Sequence, residues 1–386
     1  MPVKNDMSKR FTFYEGNQDI DQQIANISYK PYGNKKVDES TIDKFLDKET
    51  KTTAFLVIRN DSILYERYWH KFSQSRQHTS FSIAKSFTSA LTGIAIQEGF
   101  IKSVHDPVTT YIPELREVEG YWNELTVEHL LNMRSGISFD EEDYVRPFSD
   151  IASLYNSKNV LKNITKAKFV CKPNTCKYYS SLDTQILGLI IERATKVGLY
   201  DYLETKIWKP LGMEYEASWS LDSKKNQNTK AFCCIQATAR DFAKFGRLYL
   251  NGGNWNGTQI IDEEWVNHSV IPDGANNCYQ YQWYSGNNWA MRYLNEEGKY
   301  DVKIFQDSLS AAKEIRHESQ FVSRAFRDPN KWLIKNCGPD FYALGIFGQE
   351  IYVQPEKNII FVRLGQRWDT NYSNIFNAIS HELSKT

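Results

Sequence analysis

The sequence lacks any excess of charge of one sign. Its 386 residues carry 47 Lys and Arg against 47 Asp and Glu, so the formal net charge is zero. Binding to nucleic acid or to an acidic membrane depends on clustered Lys and Arg. We therefore expect no nucleic-acid partner, and a small molecule as the ligand.

Long apolar runs are also missing. The longest, such as residues 186–191, fall well short of the roughly 20 residues that a membrane-spanning helix needs. Residues 1–6 are polar and show no apolar segment of a secretory signal. The sequence predicts no membrane span and, as given, a cytoplasmic protein, or a periplasmic one if a leader was removed. We expect a monomer or a homodimer.

Cysteines and histidines do not have the spacing of a metal site. The six Cys lack the paired spacing of a zinc site and are sparse for a disulfide scaffold. We expect reduced thiols, with Cys171 and Cys176 as the pair that could bridge a short loop. The seven His show no His-Glu-x-x-His pattern and no Gly-x-Ser-x-Gly segment accompanies them. The sequence predicts no metal and no cofactor, and only His78, four residues before Ser82, could reach a serine-based site.

Strand-like segments lie near both ends of the chain. Residues 52–59 and 63–69 are rich in β-branched and aromatic residues, and Asn60-Asp61-Ser62 between them predicts a hairpin. Residues 341–353 and 358–364 have the same character, with a turn at 354–357. Residues 1–50 are polar and weakly periodic, which predicts an extended arm with one short helix near 40–46.

The middle of the chain has helical periodicity. Apolar residues recur every three or four positions from Ser82 to Gly99, and further helices are predicted at 126–131, 183–196, 239–250 and 371–384. Strands at both ends around a helical middle predict an α/β (α+β) fold, with an antiparallel sheet flanked by helices and built from both termini. We expect an arm (1–50), a sheet domain (51–85 plus 250–386, with an insertion at about 285–340) and a mainly helical lobe (86–249). A cleft would separate the two lobes.

Ser82 and Lys85 stand at the start of the first predicted helix. Residues three apart share one face of a helix, so the Lys85 amine can lie beside the Ser82 hydroxyl. A serine becomes nucleophilic when a base takes its proton, and a desolvated lysine can be that base. The alternative is that Ser82 only caps the helix and that Lys85 is solvated. The pair alone does not decide between them.

Several further segments accompany the pair in a fixed order. They are Ser82-Ile83-Ala84-Lys85-Ser86-Phe87, Asp106-Pro107-Val108, Tyr111-Ile112-Pro113 and Leu130-Leu131-Asn132-Met133-Arg134-Ser135-Gly136. This series resembles the serine β-lactamase-related, class C penicillin-binding family, from about residue 50 to the C-terminus without the insertion. The family includes class C β-lactamases, D,D-carboxypeptidases, esterases and 6-aminohexanoate-dimer (nylon oligomer) hydrolases.

The resemblance assigns a second motif to Tyr179-Ser180-Ser181, where the family has a Tyr-x-Asn-type triplet before a helix. It implies that Ser82, Lys85 and Tyr179 are catalytic, and we expect the nearby ammonium to ease deprotonation of the Tyr179 phenol. Ser181 replaces the usual Asn, which puts turnover of β-lactams in doubt. Tyr178 is the adjacent candidate, interpreted as a packed loop aromatic.

The third motif of β-lactamases, Lys-Thr-Gly on a strand, is replaced by Ala343-Leu344-Gly345. In this register the backbone N–H of Ile346 joins that of Ser82 in an oxyanion hole. A shifted register would place residues 346–348 there instead. Gly345 and Gln349 are expected to contact the substrate, although the glycines could equally mark a bulge.

The missing strand lysine removes the partner of a substrate carboxylate. Residues 341–349, 231–235 and 238–248 are most similar, within the family, to its 6-aminohexanoate-dimer hydrolase branch. That resemblance implies a serine hydrolase acting on a linear amide or short-chain ester, with Tyr144 and Ser181 as substrate-binding residues. Tyr144 could equally be a surface aromatic. The alternatives are a D,D-carboxypeptidase or weak β-lactamase, and a non-catalytic penicillin-recognising protein.

Overall fold

The computed structural model describes residues 1–30, 38–144, 146, 148–271, 278–294, 300–305, 331–367 and 372–385, and of residues 287–294, 300–305 and 331–336 the backbone alone. The strands are β1 Pro2–Val3, β2 Tyr14–Glu15, β3 Ser28–Tyr29, β4 Ser40–Thr41, β5 Thr52–Arg59, β6 Ser62–Tyr68, β7 His78–Thr79, β8 Ala217–Trp219, β9 Ile235–Ala237, β10 Asn254–Trp255, β11 Thr258–Gln259, β12 Tyr279–Gln280, β13 Trp283–Leu294, β14 Tyr300–Phe305, β15 Lys331–Gly345, β16 Gln349–Gln354 and β17 Ile359–Gly365. The α-helices are α1 Gln18–Ala25, α2 Ile42–Lys48, α3 Ile83–Gln97, α4 Val127–Leu131, α5 Asp150–Tyr155, α6 Val160–Ile164, α7 Ser181–Thr195, α8 Leu199–Leu203, α9 Ala239–Leu250, α10 Glu263–Val270 and α11 Ser373–Leu383. Short 3₁₀ turns lie at Met7–Lys9, Val108–Thr110, Pro113–Leu115, Ile346–Gly348 and Pro355–Lys357, with a π-helical turn at Glu204–Trp208.

One large sheet organises the molecule. Its strand order is β12-β13-β15-β16-β17-β5-β6-β2, with β14 paired to β13. All its pairings are antiparallel except that of β2 with β6. Strands β5 and β6 come from the first part of the chain and β12 to β17 from the last. This confirms the predicted antiparallel sheet, flanked by helices and built from both termini.

The hairpin between β5 and β6 follows from its turn residues. Asn60 and Asp61 have φ of 52° and 61°, in the left-handed region that Asn and Asp tolerate best after glycine. Two such residues make the tight turn whose twist matches a hairpin. The predicted hairpin is therefore confirmed.

Side chains alternate between the two faces of the sheet, and each face has its own core. Leu56 and Ile58 of β5 pack with α3, α7 and α9 on one face. Phe55 and Val57 pack with α1, α2 and α11 on the other. Helix α9 lies close to the sheet because residue 246 is glycine, where a Cβ would stand 2.9 Å from a methyl carbon of Ile351.

Two expectations about secondary structure need correction, at the arm and at the strand over 341–353. The arm contains α1 as well as the predicted helix at α2, because Asn17 caps α1 and its apolar side chains pack on the sheet. The strand predicted over 341–353 is interrupted at Ile346–Gly348, where Phe347 has a φ of 64°. The described part of the insertion at 285–340 consists of β13, β14 and β15, and residues 338–340 lie within β15.

The cysteines are paired, so the expectation of reduced thiols is wrong. Bridges join Cys171 to Cys176, Cys233 to Cys234 and Cys278 to Cys337. The third pair is 59 residues apart in sequence and meets because β13 pairs with β12 on one side and β15 on the other. Within the described residues, no helix combines the length and apolar character needed to cross a membrane.

Candidate active site

Ser82 stands at the N-terminus of α3, and its side chain does not cap the helix. Its hydroxyl makes no capping hydrogen bond, so the interpretation of Ser82 as a mere helix cap does not hold. Phe81 precedes it with a φ of 46°, an unfavourable conformation for a large side chain. Ser80 holds this turn, because its N–H donates to the Ile235 carbonyl (2.8 Å) and its hydroxyl accepts from the Ile235 N–H (3.0 Å).

Lys85 is buried beside that hydroxyl and is not a solvated side chain. It is 1% exposed, and its Nζ lies 3.0 Å from Ser82 Oγ, 3.0 Å from Ser181 Oγ and 3.1 Å from the Phe232 carbonyl oxygen. Burial lowers the pKa of Lys85 to about 8, although Glu141 raises it in part. With that pKa, about a tenth of the Lys85 amines are neutral at pH 7.

The neighbours of Lys85 determine where its lone pair points when it is neutral. The Phe232 carbonyl can only accept a hydrogen bond. Ser181 Oγ donates to Glu141 Oε1 (2.6 Å), so it too acts as an acceptor toward Lys85. Two N–H groups of the neutral amine satisfy these two acceptors. The lone pair is left facing the Ser82 hydroxyl.

Glu141 is the residue that the sequence interpretation missed. Its carboxylate accepts from the backbone N–H and the hydroxyl of Ser181, at 2.7 and 2.6 Å. It thus caps the N-terminus of α7, where a negative charge is favourable. The acidic run 140–143 resembles a solvated loop. No sequence signal marks Glu141, because Ser181 and Lys85 are brought to it from distant parts of the chain.

Tyr179 lies against Lys85. Its ring centre is 5.0 Å from Lys85 Nζ, and its hydroxyl lies near the side chains of Ser82 and Tyr284. Burial raises the pKa of Tyr179 well above its ordinary value. The net shift of this pKa is therefore opposite to the one expected from the nearby Lys85 ammonium, because burial dominates it. Tyr178 is 58% exposed, so its interpretation as a packed loop aromatic is wrong.

Strand β15 brings Gly345 to the nucleophile. A Cβ on Gly345 would stand 2.5 Å from the Ser80 carbonyl oxygen and 3.2 Å from the Ser82 nitrogen. A Cβ on Gly348 would instead meet Arg363 and Tyr372. Gly345 therefore lies beside Ser82, in the register that places Ile346 next along the chain.

Gln349 is placed differently from the expectation. Its side chain is buried and its Nε2 donates to the carbonyls of Ile346 (3.2 Å) and Gly365 (2.6 Å), while its Oε1 accepts from the Gly365 N–H (3.0 Å). Because both ends of its side-chain amide are hydrogen-bonded within the protein, Gln349 is not placed to bind the substrate as expected. The amide holds the turn that carries Ile346.

Tyr144 joins the site through Glu141. Its hydroxyl donates to Glu141 Oε1 at 3.1 Å and its ring lies near that of Tyr155. The ring of Tyr155 in turn meets that of Phe232 edge to face, with 5.1 Å between centroids. Tyr144 is 38% exposed, so its partly solvent-exposed ring borders the residues around Lys85.

His78 does not reach Ser82. Its Nδ1 lies 3.2 Å from Thr53 Oγ1, its ring stacks on Phe72, and burial lowers its pKa to about 4. It lines a cavity of about 300 Å³ that Phe81 and Phe347 also line. A larger cavity of about 870 Å³ is lined by residues such as His129 and His268 and does not include the Ser82 group. In the described part of the chain, no cluster of His, Cys, Asp and Glu could hold a metal ion.

Comparison with known proteins relates the chain to one family. The family model described as Beta-lactamase matches residues 39–382. The chain is 26% identical over 363 residues to a 6-aminohexanoate-dimer hydrolase of Paenarthrobacter ureafaciens, covering 87% of this chain and 80% of the relative. It is 28% identical over 197 residues to a Salmonella heidelberg protein named "Putative D-alanyl-D-alanine carboxypeptidase", covering 45% of each. The solved structure of a "Putative 6-aminohexanoate-dimer hydrolase" from Bacillus anthracis has a TM-score of 0.75 at 23% identity, covering 100% of this chain and 91% of that one.

Proposed function

Because the chain belongs to the beta-lactamase family, we propose that it is a serine hydrolase that cleaves a linear amide or a short-chain ester through an acyl-enzyme on Ser82. The observation that carries the proposal is the set of contacts of Lys85. Ser181 and Phe232 accept its two N–H groups, and its lone pair is left for the Ser82 proton. A buried amine with a pKa of about 8 is suited to general-base catalysis near neutral pH.

The proposed reaction has two halves. Ser82 Oγ attacks the substrate carbonyl while its proton passes to neutral Lys85, and the backbone N–H groups of Ser82 and Ile346 stabilise the oxyanion. Tyr179 stays protonated as a neutral phenol and relays the proton from Lys85 to the leaving group. Water then attacks the acyl-enzyme with the same groups in reverse, and this scheme uses no cofactor.

The substrate class follows from what surrounds Ser82. Ala343 stands where β-lactamases have a lysine and is fully buried, so a substrate carboxylate gains no partner from this position. The 6-aminohexanoate-dimer hydrolase of Paenarthrobacter acts, by its name, on a linear amide. We assign Tyr144 and Gly345 to substrate binding and Gln349 to holding Ile346 in place. Ser181, expected to bind substrate, is assigned to orienting Lys85 instead, because its buried hydroxyl is already hydrogen-bonded to Lys85 and Glu141.

A D,D-carboxypeptidase or weak β-lactamase is the second candidate, favoured by the similarity to the Salmonella protein over residues that make up 45% of this chain. Its substrates carry a carboxylate one carbon away from the scissile amide nitrogen, and the Lys-Thr-Gly lysine that would pair with it is missing. In a 6-aminohexanoate dimer the carboxylate is five methylene groups away from that nitrogen, so the loss of this lysine matters less. A penicillin-recognising protein without turnover is the candidate from another class. Binding without turnover does not require a buried lysine such as Lys85 beside Ser82.

Hydrolysis assays separate these candidates. Wild-type protein should hydrolyse p-nitrophenyl acetate and butyrate, Ser82→Ala should not, and Ser89→Ala should retain activity. Ser89 is a matched control, since it lies buried on the same helix with a hydroxyl that has no hydrogen-bond partner. Faster cleavage of a 6-aminohexanoate dimer than of a D-Ala-D-Ala peptide supports the amidase branch, and the reverse supports the carboxypeptidase. No turnover of any of these substrates would support the non-catalytic candidate.

A further inference from the structure

Two adjacent cysteines form a disulfide next to the proposed base. Cys233 and Cys234 are bridged to each other, which closes a small ring from their side chains and the peptide bond between them. Cys233 is fully buried, whereas Cys234 is partly exposed and has a φ of 74°. That left-handed conformation is unfavourable for a residue with a Cβ. The ring restricts the backbone torsions that would let this turn relax.

The turn that contains the bridge, residues 231–235, contacts the catalytic group through its backbone. Its Phe232 carbonyl accepts from Lys85 Nζ, and its Ala231 carbonyl accepts from Thr88 Oγ1 at 2.9 Å, one turn further along α3. At its other end Ile235 exchanges two hydrogen bonds with Ser80, in the turn before Ser82. The bridge therefore lies between the attachment points of the base and of the nucleophile.

We propose that the Cys233–Cys234 disulfide is a positioning element of the active site, and that its reduction by a dithiol slows acylation of Ser82. The proposal rests on the proposed function, because it acts through Lys85. With the bridge intact, the Phe232 carbonyl is held as an acceptor and the lone pair of neutral Lys85 faces Ser82. With the bridge broken, the turn can relax and this acceptor shifts away.

The reduction is an ordinary thiol–disulfide exchange. A thiolate of the dithiol attacks Cys234 Sγ, the partly exposed sulfur, and Cys233 leaves as a thiolate that takes up a proton. The second thiol of the reductant then attacks the mixed disulfide and releases Cys234. Two electrons and two protons reach the protein, and the reductant ends as its own disulfide.

Two kinetic changes are expected on reduction. The maximal acylation rate should fall by about 10- to 100-fold, since a small displacement of a catalytic group has effects of that order. The midpoint of the pH profile should also move to lower pH, because loss of a hydrogen-bond acceptor destabilises the charged ammonium and lowers the pKa of Lys85. A merely structural loosening would reduce the rate without moving this midpoint.

The experiment measures the rate at which a fluorophosphonate labels Ser82 as a function of pH, before and after treatment with dithiothreitol. The redox state of each cysteine is determined from peptide masses after quenched samples are alkylated. Oxidised Cys234→Ser should label as slowly as reduced wild type and should not respond to dithiothreitol. The double variant Cys171→Ser/Cys176→Ser lacks another bridge and should still respond as wild type does.

Distinct results would overturn the proposal. Unchanged rate and midpoint after reduction of Cys233 and Cys234 would refute it while leaving the proposed function intact, as would free thiols at both positions in the isolated oxidised protein. A response to dithiothreitol that persists in Cys234→Ser would assign the effect to a different bridge. Absence of labelling at Ser82 in both redox states would overturn the proposed function and this inference together.

Discussion

Replacing Glu141 by glutamine should slow the enzyme although Glu141 does not touch Ser82. The carboxylate accepts two hydrogen bonds from Ser181, at 2.7 Å from its N–H and 2.6 Å from its hydroxyl. A glutamine keeps one oxygen for the backbone N–H, and its NH₂ group then faces the Ser181 hydroxyl as a donor. Ser181 must turn its own hydrogen away, toward Lys85. There it competes with Ser82 for the lone pair of the neutral amine.

The magnitude follows from the kind of interaction that is lost. Hydrogen bonds to a charged group contribute about 1.5–3 kcal/mol, which corresponds to a decrease of about 10- to 100-fold in kcat/KM if the loss falls on the transition state. The Glu141 charge also raises the pKa of Lys85, so removing it lowers that pKa further. The loss of the hydrogen bond should lower the plateau rate at high pH. The lower pKa of Lys85 should shift the midpoint of the pH profile to lower pH.

The assay is kcat/KM for p-nitrophenyl butyrate between pH 5.5 and 9.5 for wild type, Glu141→Gln and Glu142→Gln, with the range centred near the pKa of about 8 for Lys85. Glu142 is exposed and adjacent in sequence, so its variant controls for a general change of surface charge. A Glu141→Gln profile that coincides with that of wild type, in both plateau and midpoint, would refute the reasoning.

Three further predictions concern Tyr179, Gly345 and His78. Tyr179→Phe should lower amide hydrolysis by about 100-fold or more but p-nitrophenyl ester hydrolysis much less, because only the amine leaving group needs a proton; equal losses on both substrates would contradict the relay role. Gly345→Ala should slow Ser82 labelling by about 100-fold, because its Cβ would stand 2.5 Å from a backbone oxygen, and an unchanged labelling rate would show that the strand lies elsewhere. His78 has a pKa lowered to about 4, so its imidazole binds fewer protons in the folded than in the unfolded protein between pH 6.5 and 4; its contribution to the free energy of unfolding should fall by about 3 kcal/mol over that interval as the pH is lowered. Urea denaturation should find this fall reduced in His78→Phe, and an equal fall in the variant would contradict it.

Local sequence signals predicted the elements that depend on neighbours in the chain. The hairpin at Asn60 and Asp61 and the helix over 239–250 are set by turn residues, capping residues and periodicity within a few positions, and both formed as expected. The prediction of a continuous strand across 341–353 was wrong at Phe347. Its left-handed backbone is imposed by the surrounding fold, since nothing in a phenylalanine signals it.

The parts of the site that the sequence did not reveal arise from distant segments. Ser82 and Lys85 are three residues apart, and a helix is enough to bring them together. Glu141 reaches Ser181 across 40 positions, and Phe232 reaches Lys85 across 147. No local pattern marks either contact. An acidic loop has the same sequence whether it is solvated or contacts the site, and every residue has a backbone carbonyl.

Labelling of Ser82 tests the central claim most directly. Intact and peptide mass spectrometry of the oxidised protein after incubation with a fluorophosphonate should find a single adduct, located on Ser82. Ser89→Ala should form the same adduct and Ser82→Ala should form none. An unmodified wild-type protein, or an adduct that persists in Ser82→Ala, would contradict the assignment of Ser82 as the nucleophile.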